Sequence, residues 1–391
     1  MGPLSGLKVI EFAGIGAGPH CAMMLADMGA EIVRIDRLKS AGLGVEVEPK
    51  FDFLMRGRRS LAIDLKSPAG REVVLQMIDQ ADVLLESFRP GVMERIGLGP
   101  EICLRANPRL VYARLTGWGQ TGPYAAMAGH DINYIALSGA LDAMGAPEAG
   151  PLPPLNLLGD FGGGALHCAF GIVSALLHVH RSGRGQVVDA AMIDGVTSMM
   201  SLVLGWRKAG KWSDKKLDNV VDGGAPFYST YRTADDRFVA IGAMEDKFYK
   251  LLLEKLGIAH LEHMYPHTDR ALWAEQRQTF ETVFRSRTRD DWCSLLEGTD
   301  ACFAPILSVD EAPEHPHIKA RGIYRDVDGV EQPAPAPRLS LASNITISSP
   351  PYIGEHSRDV LRDWGWDHDE IARLEGSGVV FQGAGANSLS Q

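Results

Sequence analysis

The sequence predicts an α/β fold with two domains. Its first half alternates short apolar runs with patterns of helical period, which is the order expected for a sheet with crossover helices. Its second half opens with two strand-like segments separated by a polar turn. The chain has 391 residues, of which 45% are hydrophobic and 23% charged. This is the composition of a globular protein with enough apolar material for two cores.

The N-terminal segment has the order strand, glycine turn, helix, strand. Residues 7–12 are an apolar run typical of a short buried strand. Residues 19–28 predict a helix that begins with proline, where a missing N–H costs nothing, and residues 32–35 predict a second strand. This βαβ unit implies parallel strands and a right-handed crossover. The pattern continues with helices at 68–80, 132–141 and 163–180 and strands at 83–85 and 110–115.

The second half has a different pattern of residues and predicted elements. Residues 190–209 predict a long methionine-rich helix, and a polar, charged segment follows it at 210–222. Strands at 227–233 and 238–241, joined by a turn at 234–237, lead into helices that extend to about residue 296. Later features are an extended strap rich in Pro, Ala and Ser at 329–351, a helix at 357–364 and a tail expected to fray.

These elements define the expected domains. We expect a large α/β domain at residues 1–200, completed by residues 330–391. A linker at 201–224 should connect it to a small α+β domain at 225–328.

Charge and cysteine content exclude several classes of protein. The 39 Lys and Arg residues against 49 Asp and Glu give a net charge of −10, which argues against nucleic acid as the main partner. The five cysteines are scattered without a C-x-x-C pair, so neither a disulfide framework nor a zinc site is indicated, and a cytoplasmic location fits best. No continuous apolar run reaches the roughly 18 residues of a membrane span, and the N-terminus lacks a signal-peptide pattern.

The glycine turn at 14–18 resembles a dinucleotide-binding turn, with Asp36 at the end of the next strand. The third glycine of that fingerprint is replaced by Pro19, which argues against a nicotinamide cofactor. Arg34 and Arg37 flank Asp36, so this strand end suits a phosphate better than a ribose hydroxyl. The turn is equally consistent with a tight change of chain direction.

Basic residues recur near predicted strand ends, at 56–59, at 87–91 and at Arg95. Ligands of open α/β sheets bind outside the carboxyl ends of the strands, so these arginines are candidates for an anionic ligand. For any single arginine, a solvated loop explains the sequence as well.

Two ionisable residues each follow a glycine and precede a predicted helix. His130 would lie at a helix start, where the helix dipole favours the neutral imidazole that accepts a proton. Asp160 lies among glycines at 159–164, whose N–H groups are candidates for binding an oxyanion. Spacing alone leaves the more common alternatives open, a packing histidine and an N-cap aspartate.

Several longer motifs resemble the class III CoA-transferase (CaiB/BaiF-type) superfamily. They lie at 3–11, 30–36, 60–66, 112–123 and 350–356, and together they cover nearly the whole chain. The motif Gly-His-Asp-Ile-Asn-Tyr at 129–134 resembles the α-methylacyl-CoA racemase branch of that superfamily. Transferase members carry a nucleophilic aspartate at the position of Asp160 but typically lack the histidine.

The resemblance implies a site and an assembly. His130 and Asp160 would be two bases on opposite faces of the carbon next to a thioester, working without a metal or redox cofactor. Glu245 would partner His130, and Asn156 would neighbour Asp160. The implied assembly is an interlocked homodimer with a large Rossmann-like domain. The implied acyl-CoA site comprises Ile15, Arg37, Ile63, Leu65, Lys66, Ser87, Phe88, Arg89, Arg95, Gly129, Asp131, Ile132, Asn133 and Tyr134.

Three functions stay open on the residues alone. The first, which the resemblance favours, is a racemase or epimerase of 2-methylacyl-CoA thioesters. The second is a CoA-transferase that forms an aspartyl anhydride at Asp160. The third is a CoA-binding protein without turnover or a nucleotide-dependent oxidoreductase, and Pro19 already argues against its nicotinamide version.

Overall fold

The computed structural model of the chain describes residues 2–39, 42, 44–341 and 346–384. These residues form two compact units. The large unit comprises Met1–Ala140, Pro154–Met200 and Gly322–Gln391, and the small unit comprises Leu141–Pro153 and Ser201–Arg321. Residues 201–224, expected as a linker, therefore belong to the small unit, and so does Leu141–Pro153.

The strands form one large and two small sheets. In chain order they are β1 (Lys8–Phe12), β2 (Glu31–Asp36), β3 (Arg58–Ile63), β4 (Val83–Glu86), β5 (Val111–Thr116), β6 (Gln186–Ala191), β7 (Tyr228–Arg232), β8 (Phe238–Gly242), β9 (Phe303–Pro305), β10 (Tyr324–Val327), β11 (Val330–Pro333) and β12 (Val380–Phe381). The large sheet has the order β12-β3-β2-β1-β4-β5-β6. Strands β1 to β6 run parallel, and β12 is antiparallel to β3. The predicted parallel α/β sheet is confirmed, with the strand order reversing between β1 and β4.

Helices connect these strands. In chain order they are α1 (Ala17–Asp27), α2 (Pro68–Gln80), α3 (Val92–Ile96), α4 (Pro100–Ala106), α5 (Asp131–Leu137), α6 (His167–Ser182), α7 (Met192–Met199), α8 (Ser201–Lys208), α9 (Asp246–Leu256), α10 (Trp273–Phe284), α11 (Arg289–Leu296), α12 (Pro316–Arg321), α13 (Ser357–Asp363) and α14 (His368–Gly376). A π-helix, Leu157–Leu166, leads directly into α6.

The large sheet is buried on both faces, as parallel sheets require. Successive residues of a strand point to opposite faces. Val9 therefore packs in the cluster that contains Leu25 and Ile172, whereas Ile10 packs in the cluster that contains Met77 and Leu361. The apolar runs of the first half thus form the centre of a three-layer unit.

The C-terminal segment is more ordered than expected. Helix α14 follows α13, and β12 then extends the large sheet by pairing Val380 with Ile63. The expectation of a frayed tail is wrong up to residue 384, and residues 385–391 lie outside the described residues. The start of the expected strap forms β11, which pairs antiparallel with β10.

The arginines at 56–59 are structural rather than ligand-facing. Buried Arg56 pairs with Asp27 at 2.6 Å and donates to Pro333 O at 2.6 Å, which joins β11 of the hairpin to α1 within the large unit. Buried Arg58 pairs with Glu11. Because these guanidinium groups are committed to internal partners, the expectation that they converge on an anionic ligand is wrong.

The small unit has its own sheet and core. Strands β7, β8 and β9 form an antiparallel sheet in that order, which confirms the predicted strand pair. Helices α9, α10 and α11 contribute aromatic side chains to its core, including Phe280 and Trp292. The predicted helix at 190–209 is two helices, α7 and α8, and its first two residues belong to β6.

Among the described residues, one helical stretch, Leu157–Ser182, is long and apolar enough to cross a bilayer by length and composition. Asp160 and His167 interrupt this stretch, so it is not an unbroken apolar run in the sequence. The core helices of proteins that do not span a membrane can meet the same criteria of length and composition.

Candidate active site

A pocket of about 280 Å³ lies in the large unit at the carboxyl ends of its central strands. It is bounded by the turn after β1, the segment after β4 and the segment after β5. This is the point where the strand order reverses, which is where open α/β sheets bind ligands. Both predicted bases, His130 and Asp160, line this pocket.

His130 is the residue immediately before α5. Its backbone N–H donates to Asn133 Oδ1 at 3.0 Å, and the Asn133 N–H donates to the His130 carbonyl at 2.8 Å. These two bonds fix the start of the helix and leave the imidazole at the pocket wall. Asn133, expected from the resemblance to contact CoA, uses its side chain to cap the helix.

The glycines near His130 are required by packing. A β-carbon at Gly129 would lie 2.7 Å from the ring of Tyr134, and one at Gly117 would lie 2.0 Å from it. The Tyr134 hydroxyl donates to the Gly129 carbonyl. The tyrosine therefore holds the loop before His130 against the loop after β5.

Asp160 lies within the π-helix, a geometry frequent at functional sites. Its backbone N–H donates to Asp131 Oδ1 at 2.7 Å, and Asn156 Nδ2 donates to Asp160 Oδ2 at 3.3 Å. Burial raises the pKa of Asp160; the Asn156 hydrogen bond opposes this rise, the Asp131 charge adds to it, and His130 opposes it.

Glycines let the π-helix approach α7. A β-carbon at Gly163 would lie 2.7 Å from Val196 Cγ2, and one at Gly195 would lie 1.9 Å from the Gly163 carbonyl.

The expectation that amides at 159–164 bind an oxyanion is wrong for two of them. The Asp160 N–H donates to Asp131, and the Phe161 N–H donates to the Asn156 carbonyl at 3.3 Å.

The residues expected to bind CoA fall into two groups. The structure brings together at the pocket Ile15, Ser87, Phe88, Arg89, Gly129 and Tyr134. The remainder do not line it: Ile63 lies in the core, Asp131 is buried, Leu65 packs against the core, Asn133 caps α5, and Arg37, Lys66, Arg95 and Ile132 are exposed.

Other pocket residues were not singled out as site residues from sequence. Gly16 lies in the turn after β1, and Gly18 lies in the first turn of α1, where a β-carbon would lie 2.4 Å from Ser87 Oγ. Trp118 lies edge-on to Tyr134, with ring centroids 4.7 Å apart. The motif at 112–123 contains Trp118, so it was available as a signal, but no local pattern assigns its side chain to a pocket.

A buried carboxylate supports the segment after β4. The Phe88 N–H donates to Glu86 Oε2 at 2.7 Å, and Arg114 Nε donates to Glu86 Oε1 at 2.9 Å. Arg114 also pairs with Glu94 at 2.8 Å. Burial raises the pKa of Glu86 to about 7, against the opposing effects of the Phe88 N–H and Arg114.

Glu245 belongs to the small unit, where it is exposed and directly precedes α9. Its predicted pairing with His130 stays a prediction. Within the described ranges, no group of three or more His, Cys, Asp or Glu side chains is arranged to hold a metal ion.

Comparison with known families identifies the fold and its relatives. The model of CoA-transferase family III matches residues 4–357. The chain belongs to CoA-transferase family III.

Relatives of this CoA-transferase family III chain include two mammalian enzymes. It is 46% identical to the alpha-methylacyl-CoA racemase of Mus musculus over 379 residues, which span 96% of this chain and 97% of the mouse protein. It is 44% identical to the alpha-methylacyl-CoA racemase of Homo sapiens over 385 residues, again spanning 96% of this chain and 97% of that protein.

The fold agrees with a solved crystal structure. The structure of a CAIB/BAIF family protein from Brucella suis matches with a TM-score of 0.79 and 28% sequence identity, covering 93% of this chain and 99% of that chain. In this family III chain, the motif at 112–123 comprises most of β5 and the loop that follows it, and the motif at 129–134 contains His130. Both contribute residues to the pocket.

Proposed function

We propose that this chain is a 2-methylacyl-CoA racemase, or epimerase, which inverts the carbon next to a branched acyl-CoA thioester. The observation that carries the proposal is that His130 and Asp160 line one pocket at the switch point of the sheet. The near full-length similarity to two alpha-methylacyl-CoA racemases supports the same reaction.

The reaction needs one base on each face of the substrate. One of His130 and Asp160 removes the α-proton, and the electron pair moves toward the thioester carbonyl, whose oxygen takes the negative charge of an enolate. The other base, already protonated, gives its proton to the opposite face, and the carbonyl forms again. The pair carries one proton before and after the reaction, so each positioned base acts as acid in one direction and as base in the other.

Burial suits Asp160 to this exchange. A carboxyl group with its ordinary pKa is almost fully ionised near neutral pH and rarely holds a proton to donate. Burial raises the pKa of Asp160, which increases the fraction of this carboxyl that is protonated at a given pH.

Basic side chains around the pocket suit the phosphates of CoA. Arg89 lines the pocket, and Arg37, Lys66 and Arg95 are exposed. A guanidinium binds phosphate oxygens through paired hydrogen bonds. We propose that these basic residues bind the phosphates of CoA.

We further propose that the active form is an interlocked homodimer. Helix α6 and the residue before it carry exposed apolar side chains at intervals of four, three and four residues: Leu166, Phe170, Val173 and Leu177. Residues at these intervals lie on one face of a helix. A second copy of the chain would cover this face, and the predicted partner of His130 would be Glu245 of the partner subunit.

The test is solvent exchange at the α-carbon. In heavy water, the protein should introduce deuterium into a 2-methylacyl-CoA and should interconvert its two epimers, and His130→Ala and Asp160→Ala should each abolish inversion. Binding of the thioester without exchange would contradict the proposal. Trapping of an Asp160 adduct by hydroxylamine, with His130→Ala still active in CoA transfer, would support the transferase alternative instead.

A further inference from the structure

Asp131 connects the two predicted bases. It directly follows His130 in the chain and is the first residue of α5. Its Oδ1 accepts the backbone N–H of Asp160 at 2.7 Å. A single side chain is therefore joined to one base through the main chain and to the other through a hydrogen bond.

Gly159 leaves space for the carboxylate of Asp131. A β-carbon at Gly159 would lie 2.4 Å from Asp131 Oδ1 and 2.8 Å from its Cγ. Glycine at position 159 thus allows the backbone of the π-helix to approach Asp131. A carboxylate in this place holds the π-helix and the start of α5 at one separation.

The second oxygen of Asp131 has an unusual environment. The residue is 6% exposed, and its Oδ2 is buried without a hydrogen-bond partner among the residues that the structure describes. Leaving a carboxylate oxygen buried and unpaired is costly. A neutral acceptor would satisfy the Asp160 N–H without this cost. We therefore infer that the negative charge of Asp131 has a function of its own.

The charge of Asp131 acts on Asp160. Three polar or titratable groups shift the pKa of Asp160. They are Asn156, which directly precedes the π-helix, and His130 and Asp131 at the start of α5. Burial raises the pKa of Tyr134, the charge of Asp160 adds to this rise, and Arg89 opposes it. Among these, Asp131 is the group whose charge favours the protonated carboxyl of Asp160.

We propose that Asp131 is a positioning residue for the two-base reaction: its carboxylate sets the placement of Asp160 relative to His130, and its charge faces Asp160. This inference rests on the proposed racemase function. An Asp160 that is out of place cannot return a proton to the face opposite His130, but His130 still removes and returns protons on its own face. Loss of Asp131 should therefore separate exchange from inversion.

The experiment compares Asp131→Ala and Asp131→Asn with the full-length wild-type protein. A matched control is Asp367→Asn, because Asp367 also accepts a backbone N–H at a helix start, from Glu370 at 2.8 Å, in α14. For each protein we would measure deuterium uptake and inversion from each epimer of a 2-methylacyl-CoA. The pH profile of kcat/KM for inversion and a ¹³C titration of the Asp160 carboxyl would complete the set.

In Asp131→Ala, inversion should fall about tenfold more than exchange from the epimer whose proton faces His130, as expected for loss of one charge-assisted hydrogen bond. In Asp131→Asn, which keeps an oxygen for the Asp160 N–H, inversion should persist while the acid limb of the profile moves to lower pH. The Asp160 carboxyl should titrate at lower pH in the same variant. Asp367→Asn should match the wild type in every readout.

An unchanged ratio of exchange to inversion in Asp131→Ala would overturn the proposal. So would an Asp160 carboxyl that titrates at the same pH in Asp131→Asn as in the wild type. If Asp131→Ala does not fold, the carboxyl titration in Asp131→Asn decides. Absence of exchange in the wild type would instead contradict the racemase function, and the carboxyl titration would still test the coupling between Asp131 and Asp160.

Discussion

The carboxylate of Asp160 lies against the α-carbon of Gly16. A β-carbon at residue 16 would come within 2.9 Å of Asp160 Oδ2, and the backbone there has a positive φ of 66°. The turn after β1 therefore forms one wall of the position that Asp160 occupies. This contact links the glycine turn to the proposed chemistry through packing.

Gly16→Ala should displace the Asp160 carboxylate, because the far end of that side chain is what the new methyl group meets. A displacement of about 1 Å can cost roughly 100-fold in rate, so we expect kcat for inversion to fall by at least about tenfold with a smaller change in KM. Steady-state inversion kinetics measure this.

The matched control for Gly16→Ala is Gly257→Ala. Gly257 also has a positive φ, of 74°, but a β-carbon there meets nothing within 4 Å. Gly257→Ala should lower the free energy of unfolding by about 1–2 kcal/mol through backbone strain, because Gly257 is left-handed helical with ψ of 19°. Gly16→Ala should lower it by more, because ψ is −113° at residue 16, a conformation open to few residues other than glycine. Only Gly16→Ala should slow inversion. Equal kinetics in the two variants would show that the contact with Asp160 is unimportant.

Asn156→Ala should make Asp160 harder to ionise. Its hydrogen bond to Asp160 Oδ2 opposes the rise in the pKa of that carboxyl, so its loss should raise this pKa further. The acid limb of the kcat/KM profile should move to higher pH, with activity below the limb reduced by up to about tenfold and little change above it. This direction is opposite to that expected for Asp131→Asn, and a shift to lower pH would contradict the assignment.

Glu86 should make stability depend on pH. Its pKa is about 7 in the folded protein and 4.5 without perturbation, so the folded state binds more protons between these values. The stabilisation from this group is fully present below about pH 4.5 and is lost as the pH rises through about 7. At about 1.4 kcal/mol for each unit of pKa difference, the wild type should lose up to about 3 kcal/mol relative to Glu86→Gln across this range.

Urea unfolding of wild type and Glu86→Gln at several pH values measures this difference. Glutamine keeps an oxygen for the Phe88 N–H but does not titrate, so the comparison isolates the proton. A difference that grows in favour of the wild type as pH rises would mean that Arg114 outweighs burial.

Phe170 tests the proposed dimer. It is 75% exposed at the centre of the apolar face of α6, and an arginine in a covered apolar interface would be buried without a partner. Phe170→Arg should weaken dimerisation roughly 100-fold or more, measured by sedimentation velocity over a range of concentrations. Val309→Arg, at an exposed apolar residue of the small unit outside this face, should leave dimerisation unchanged. A wild type that sediments as a monomer would contradict the proposed assembly.

Local patterns predict much of the large unit. Strands β1 and β2 and helix α2 follow from runs of apolar residues and from a proline at the helix start, which are properties of neighbouring residues. Strand β6 is missed because it is a mostly exposed strand that leads directly into α7, so its residues merge with a helical pattern. Strand β12 is missed because its two residues are a strand only through pairing with Ile63 and Ala62.

The residues of the candidate site can be predicted from the sequence only in part. His130 and Asp160 are identified as candidates because each follows a glycine and precedes a helix predicted from the sequence, and family resemblance selects them. Arg56 illustrates the limit, since an arginine near a strand end looks the same in sequence whether it faces a ligand or, as here, the buried Asp27.

The sequence by itself determines the alternation of strands and helices, the glycine turn after β1 and the identity of the two candidate bases, because these depend on residues close together in the chain. Only the tertiary structure decides that Gly16 contacts Asp160, that Asp131 holds the Asp160 amide and that Ile63 lies in the core rather than at a ligand. These relationships join residues far apart in the chain. They depend on strand order and on the close packing of the π-helix, which no local pattern encodes.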